Sequence, residues 1–185
     1  MKFFYRKDMK IEMKNISKKT IPALILILSI ALLIGLDQFT KFLAVKNLKE
    51  QADFALIPGI LEFSYLENTG AAFSSFLGKQ GFLITLTSCV MLFIIWKYFQ
   101  VPEGRRFHIM RLTFLLVING GIGNLIDRIK NGYVVDFIYF VPINFPKFNV
   151  ADCYVSVGMV LLCIICFFYY KDDELSFLFG KASDK

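Results

Sequence analysis

Residues 21–41 read IPALILILSIALLIGLDQFTK, a predominantly apolar run of sixteen residues from Ile21 to Leu36 that leads into Asp37, Gln38, Phe39, Thr40 and Lys41. A helix needs about 20 mostly apolar residues to cross a hydrocarbon core of about 30 Å. The run reaches that length only if the helix continues through Asp37, Phe39 and Thr40. Continuation places Asp37 and Lys41, four residues apart, on one helix face at the membrane boundary. A basic segment followed by an apolar run also describes a secretory signal peptide. Here no small-residue cleavage site follows and no cysteine lies nearby, so a retained anchor is expected.

Outward from that anchor, Gly81–Phe99, Leu112–Ile126 and Val150–Tyr170 are three further apolar runs of spanning length. The whole chain agrees: 56% of its 185 residues are apolar and its mean hydropathy is +0.58, too apolar for a soluble domain. The expected fold class is therefore a mainly α membrane protein with four transmembrane helices. Its expected organisation is a basic tail over 1–20, one membrane domain over 21–170 and a second tail over 171–185. No internal repeat and no matched pair of Gly/Pro-broken spans is present, which counts against a transporter fold.

Orientation follows from Lys and Arg, which accumulate on cytoplasmic segments. The two tails and the second connection together carry 14 of these residues, and the first and third connections carry 7. Both termini are expected in the cytoplasm, with the other two connections outside. The net charge of +6 sits at membrane edges, with no aromatic-interleaved motif, so anionic lipid headgroups are the expected partners and nucleic acid is not.

The first external connection runs from about Phe42 to Gln80 and has structure of its own. Pro58-Gly59 marks a turn. After it Leu61, Phe63 and Tyr65 alternate with Glu62, Ser64 and Leu66, the period of a strand with one apolar face, so a small sheet at the membrane surface is expected. The stretch from Asn68 to Phe73 is small and glycine-containing, a place for close backbone approach. The third connection, Gly132 to Pro142, is apolar but too short to span and is expected to lie at, or dip into, the interface.

Ionisable groups at membrane depth are costly and are functional candidates by default. Asp37 and Lys41 end span one; Asn124, Asp127 and Arg128 end span three; Asn149 and Asp152 open span four; Asp136 lies between. All fall at one boundary. Asp37 with Lys41 reads as a helix-end ion pair, and Asp127 and Arg128 as neighbours that orient the site and reach the headgroups. Asn149 reads equally well as an N-cap with Asp152 three residues on, in a variant of the capping box. Asp136 is different. Flanked by Val134, Val135, Phe137 and Ile138, it has no adjacent cation in sequence and calls for a partner such as a second carboxyl sharing a proton. The single histidine, His108, is in the cytoplasmic connection, so a Ser-His-Asp or Cys-His arrangement cannot form at this face. Ser74 or Ser75 with Lys79 is an unspecific Ser-Lys pairing, and Asp and Asn oxygens make a poor zinc site. Cys89, Cys153, Cys163 and Cys166 lie in spans and are expected to pack as ordinary apolar residues.

In their order these motifs closely resemble the lipoprotein signal peptidases, also called signal peptidase II. Five blocks carry the resemblance: Asp37-Gln38-Phe39-Thr40-Lys41, Asn68-Thr69-Gly70-Ala71-Ala72-Phe73, Gly123-Asn124-Leu125-Ile126-Asp127-Arg128, Val134-Val135-Asp136-Phe137 and Phe148-Asn149-Val150-Ala151-Asp152. The resemblance implies four transmembrane helices with a small extracytoplasmic sheet, and a catalytic pair of aspartates at Asp136 and Asp152. It further implies substrate contacts at Asn68, Asn124, Arg128 and Asn149 and supporting roles for Asp37, Lys41, Asp127 and Gly70. The implied reaction is removal of signal peptides from bacterial prolipoproteins, on the amino side of a diacylglyceryl-modified cysteine, with no cofactor or metal and with globomycin-type inhibitors binding at the same site. One departure is local: the family's Gly-Gly-Ala run is here Asn119-Gly120-Gly121-Ile122-Gly123. The basic segment before Ile21 is also longer than is usual in the family. Two readings from other classes compete: a small ion- or proton-coupled transporter, and a non-catalytic protein that only binds lipidated peptides.

Overall fold

The computed structural model describes residues 20–70 and 79–179. Among the described residues four helices are long and apolar enough to cross a membrane: α1 (Thr20–Leu48), α2 (Gln80–Tyr98), α3 (Arg105–Asn131) and α4 (Val150–Phe168). Helices α1 and α3 run well beyond their apolar runs, to Leu48 and Asn131, because the polar residues that follow find partners inside the bundle. Helix α3 is the axis of the molecule, burying Met110, Thr113, Phe114, Val117, Ile118 and Asn119. By contrast Leu28 and Leu32 on α1, Leu92 on α2 and Val160 and Phe167 on α4 are exposed, the apolar outer face that lipid covers.

Helices α3 and α4 pack closely because their contact is lined by glycine. A Cβ at Gly120 would collide with the Ala151 carbonyl and the Val155 side chain, and one at Gly123 would lie 2.7 Å from Oδ2 of Asp37 on α1. Small residues that let backbones meet drive helix association in lipid, where apolar burial supplies no force. Within the run that departs from the family's pattern, Gly121 packs against α2, whose Met91 thioether occupies the space a side chain there would need.

Three short strands, β1 (Phe54–Ile57), β2 (Leu61–Asn68) and β3 (Val134–Phe140), form an antiparallel sheet in the order β1-β2-β3. The expected turn at Pro58-Gly59 joins β1 to β2, with Gly59 at φ +72°. The apolar third connection, expected to lie at or enter the interface, forms a strand over most of its length. Its β-branched and aromatic residues pair with β2, so that Leu66 faces Asp136 and Asn68 faces Val134. On the other edge of β3, Ile138 exchanges backbone hydrogen bonds with Phe148. The sheet packs Val135 and Phe137 onto Ala44 of α1.

At the opposite end of the bundle, residues 169–179 pack against it, although the sequence from 171 onward reads as a peripheral tail. Arg106 grips the Glu174 carboxylate through Nε and Nη2 and also donates to the Tyr169 carbonyl. Lys97 donates to the Phe177 carbonyl at 3.0 Å, and Leu175 is buried in the core cluster around Tyr98 and Met110. The basic segment before Thr20 and the residues from Gly180 onward lie outside the described residues.

Candidate active site

Helix α4 begins with a complete capping box. The Asn149 side-chain oxygen accepts from the Asp152 backbone N–H at 3.0 Å, and Oδ2 of Asp152 accepts from the Asn149 backbone N–H at 3.1 Å. Two of the helix's orphan donors are thereby satisfied. The capping role and the site role do not compete, because each side chain retains a free atom: the Asn149 amide nitrogen and Oδ1 of Asp152.

Those free atoms reach the other candidates. The Asn149 amide donates to Oδ1 of Asp136 at 2.7 Å and to Oδ1 of Asn124 at 3.1 Å, while Asn124 donates to Oδ1 of Asp152 at 2.7 Å. The second Asp136 oxygen accepts from the Asn68 amide at 2.8 Å. The two carboxylates are thus joined through Asn149, which is fully buried, and Asp136 itself is 1% exposed. Sheet pairing explains the approach: the bond between Phe148 and Ile138 lays Asn149 alongside β3, thirteen residues on in sequence from Asp136.

Burial and then the negative charge of Asp152 push the Asp136 carboxyl up to about 6 from the usual 3.8, against the Asn68 and Asn149 hydrogen bonds and the more distant Lys41 charge, which favour its ionised form. A carboxyl in that range holds or gives up a proton near neutrality, which proton transfer to a reacting group requires.

Behind this pair lies a buried ionic layer. The Lys41 ammonium, 3% exposed, contacts Oδ2 of Asp37 at 3.0 Å, Oδ2 of Asp127 at 2.9 Å and Oδ1 of Asn124 at 2.9 Å, one acceptor for each of its three protons. Asp37 also accepts from the Ala151 backbone N–H, and Asp127 from that of Val135. Gln38 bridges the two carboxylates and the Gly123 carbonyl. Each acid therefore ties α1 or α3 to the backbone immediately before a catalytic candidate: Ala151 before Asp152, Val135 before Asp136.

In front lies a cavity of about 810 Å³, lined by Asn68, Asn124, Arg128, Asp136 and Asp152 and by an apolar wall that includes Leu66, Phe145, Phe148, Val155 and Val157. Arg128 donates from Nη2 to the Gly70 carbonyl at 3.0 Å, and the Gly70 N–H returns to the Asn68 side chain at 3.0 Å. Nε of Arg128 has no hydrogen-bond partner among the described residues. Such a site can hold an extended or acylated chain between two carboxyls and a planar cation.

All ten residues singled out from the sequence therefore meet at one end of the bundle. Ala71, Ala72 and Phe73 of the second block, and Ser74 and Ser75, lie outside the described residues. Sequence reasoning missed Gln38, which stood in plain view inside the first block, and Lys147 and Cys153, which line the cavity. Nothing in the sequence marks Lys147, whose place depends on the pairing of Phe148 with Ile138, and Cys153 is brought to the cavity by the start of α4, directly after Asp152. Among the described residues no three His, Cys, Asp or Glu side chains gather as a metal site would need.

Comparison with known proteins agrees in extent and kind. A family model described as signal peptidase (SPase) II matches residues 29–168. A lipoprotein signal peptidase of Clostridium tetani is 45% identical over 150 residues, covering 80% of this chain and 93% of that protein. One from Streptococcus pyogenes is 40% identical over 146 residues, covering 79% and 94%. A solved structure described as a bacterial membrane enzyme, obtained by the in meso method at 2.3 Å, superposes with a TM-score of 0.69 at 28% identity, covering 87% of this chain and 93% of that one.

Proposed function

The chain belongs to the signal peptidase II family, the lipoprotein signal peptidases, and from that premise we propose that this multi-pass membrane peptidase is an aspartic endopeptidase that cuts prolipoproteins on the amino side of their diacylglyceryl-modified cysteine. The observation that carries the aspartic mechanism is the pair Asp136 and Asp152, bridged by Asn149 at the floor of one cavity, with the Asp136 carboxyl pushed up to about 6.

Two close carboxyls in a poorly solvated site do not both ionise, and they titrate as a unit. The ionised partner takes a proton from water as the water attacks the scissile carbonyl. The partner that retains a proton polarises that carbonyl and then protonates the departing amine. The amides of Asn68, Asn124 and Asn149 hold the two carboxyls in place. Arg128, with Gly70, is suited to grip a backbone carbonyl of the substrate, and the apolar wall of the cavity to receive the acyl chains or the residues beside the cysteine. Globomycin-type inhibitors would occupy the same cavity.

The membrane is the bacterial cytoplasmic membrane on this reading, with both termini inside and the aspartates near the outer face. The unequal distribution of Lys and Arg supports it. Residues 21–170 form the peptidase domain, flanked by the segments 1–20 and 171–185. The transporter reading finds no support in the family relationship. The deciding experiment is a gel-shift assay of purified protein in detergent with a prolipoprotein in its diacylglyceryl and unmodified forms. Cleavage that depends on the lipid is expected; pH-gradient-driven flux without cleavage in proteoliposomes would overturn the proposal.

A further inference from the structure

Helix α1 is not a continuous α-helix. Residues Ile30–Ile34 form a π-turn, with Ser29 at its start and the Gly35 N–H bonded to the Leu32 carbonyl at its end. The Ser29 hydroxyl donates to the Leu26 carbonyl at 2.8 Å, the kind of back-bonding that competes with the helical ladder and distorts it. The Asn119 amide of α3 reaches the same hydroxyl at 3.0 Å and the Leu115 carbonyl at 2.7 Å. Asn119 is fully buried, and its own oxygen has no partner among the described residues. A buried amide left half-satisfied costs about 1–3 kcal/mol, so its contact with Ser29 calls for a compensating benefit.

A π-turn holds one residue more than the α-helical path, and each residue turns an α-helix by about 100°. Below the turn, α1 is anchored by Leu26 in the core and by the Tyr98 hydroxyl on the Pro22 carbonyl. Above it, Asp37 and Lys41 must face Ala151, Asp127 and Asn124. With the lower half held, loss of the turn would swing Asp37 and Lys41 around the axis by about 100°, away from α3 and α4. We propose that Ser29 and Asn119 are positioning residues for catalysis: they place the extra residue of α1 at Ile30–Ile34 and so set the rotation at which Lys41 and Asp37 support Asn124 and Asp152. The inference rests on the peptidase reading above.

Its consequence is an asymmetry that a regular helix does not show. Deletion of Leu32, whose side chain is 71% exposed, converts the π-turn into α-helix while keeping both halves in register. Insertion of an alanine between Leu32 and Leu33 adds a second extra residue and breaks the register. In the diacylglyceryl-prolipoprotein assay, the deletion is expected to stay within about threefold of wild type, while the insertion lowers kcat by about 100-fold, the scale of a misplaced catalytic group. Ser29→Ala with Asn119→Ala, which leaves no orphaned partner on either side, is expected to lower kcat by about tenfold with KM unchanged, and deletion of Leu32 in that background to restore it. A wild-type enzyme that fails to cleave would sink the peptidase reading itself. Normal cleavage by wild type, combined with equal damage from deletion and insertion or with an unaffected double-alanine variant, would sink the register inference alone.

Discussion

The Asn149 amide nitrogen lies 2.7 Å from Oδ1 of Asp136, while the backbone N–H and side-chain oxygen of the same asparagine hold Asp152 in a capping box. One residue thus spans the strand that carries the first carboxyl and the helix that carries the second. Substituting either aspartate by asparagine keeps its size and one of its two accepted hydrogen bonds but removes the exchangeable proton. Asp136→Asn and Asp152→Asn are each expected to lower cleavage by at least about 100-fold, the usual worth of a general acid or base, with expression and membrane insertion near normal. Substantial turnover by either variant would end the dyad assignment.

The raised Asp136 carboxyl has a thermodynamic consequence of definite sign. In the folded protein it keeps its proton up to about pH 6, against an ordinary value of 3.8, so between those values the folded state binds more protons than the unfolded one. Its contribution therefore falls as pH rises through that window and levels off above about 6, at a cost of about 3 kcal/mol. The melting temperature of wild type in detergent should be compared with that of Asp136→Asn at pH 7.5 and pH 5. The variant is expected to be the more stable at pH 7.5 and to lose much of that advantage at pH 5. An advantage unchanged with pH would show that Asp136 titrates normally.

Lys41 is the only cation bonded to Asp37 and Asp127 among the described residues, and all three are buried. Removing one partner of a buried ionic cluster leaves uncompensated charge and costs about 3–5 kcal/mol. Lys41→Met is expected to reduce yield and melting temperature sharply, and Lys41→Met with Asp37→Asn and Asp127→Asn to recover much of the loss. Asp37→Asn alone should act mainly on stability; a fully folded but inactive Asp37→Asn protein would move Asp37 from support into the chemistry.

Arg128 holds the Gly70 carbonyl with Nη2 and leaves Nε without a partner. A planar fork can grip two acceptors at once, which the point charge of lysine cannot reproduce. Arg128→Lys should lower kcat/KM by about tenfold or more, in line with a lost hydrogen bond to a charged group. Near-wild-type cleavage at substrate concentrations below saturation would reduce Arg128 to a headgroup anchor.

The carboxyl pair supplies both donor and acceptor, so cleavage should need no added ion. Incubation with EDTA is expected to leave the rate unchanged. Inhibition reversed by a divalent cation would redirect the mechanism to a metal hydrolase built on the same carboxylates.

The four spans were legible because crossing a bilayer imposes a length and an apolarity that a single sequence displays, as Ile21–Leu36 and Val150–Tyr170 do. The candidate residues were legible for a related reason: Asp37, Asp127, Asp136 and Asp152 are costly at membrane depth wherever they fall, so their presence at one boundary was informative before any contact was known. The capping box was also visible in the sequence as one of two readings of Asn149 and Asp152, because it depends only on residues three apart. What it could not decide was everything set by partners distant in the chain. Val134–Phe140 is apolar enough for an interfacial segment, and only its pairing with β2 makes it a strand. Residues 171–179 look like a tail until Arg106 and Lys97 meet Glu174 and Phe177. The π-turn in α1 leaves no trace in an apolar run, because hydropathy is indifferent to a one-residue change of register. Composition tells which groups must be satisfied; only the packing of α1, α3 and α4 tells by which partner, since a hydrogen bond depends on position to a fraction of an ångström and hydropathy does not.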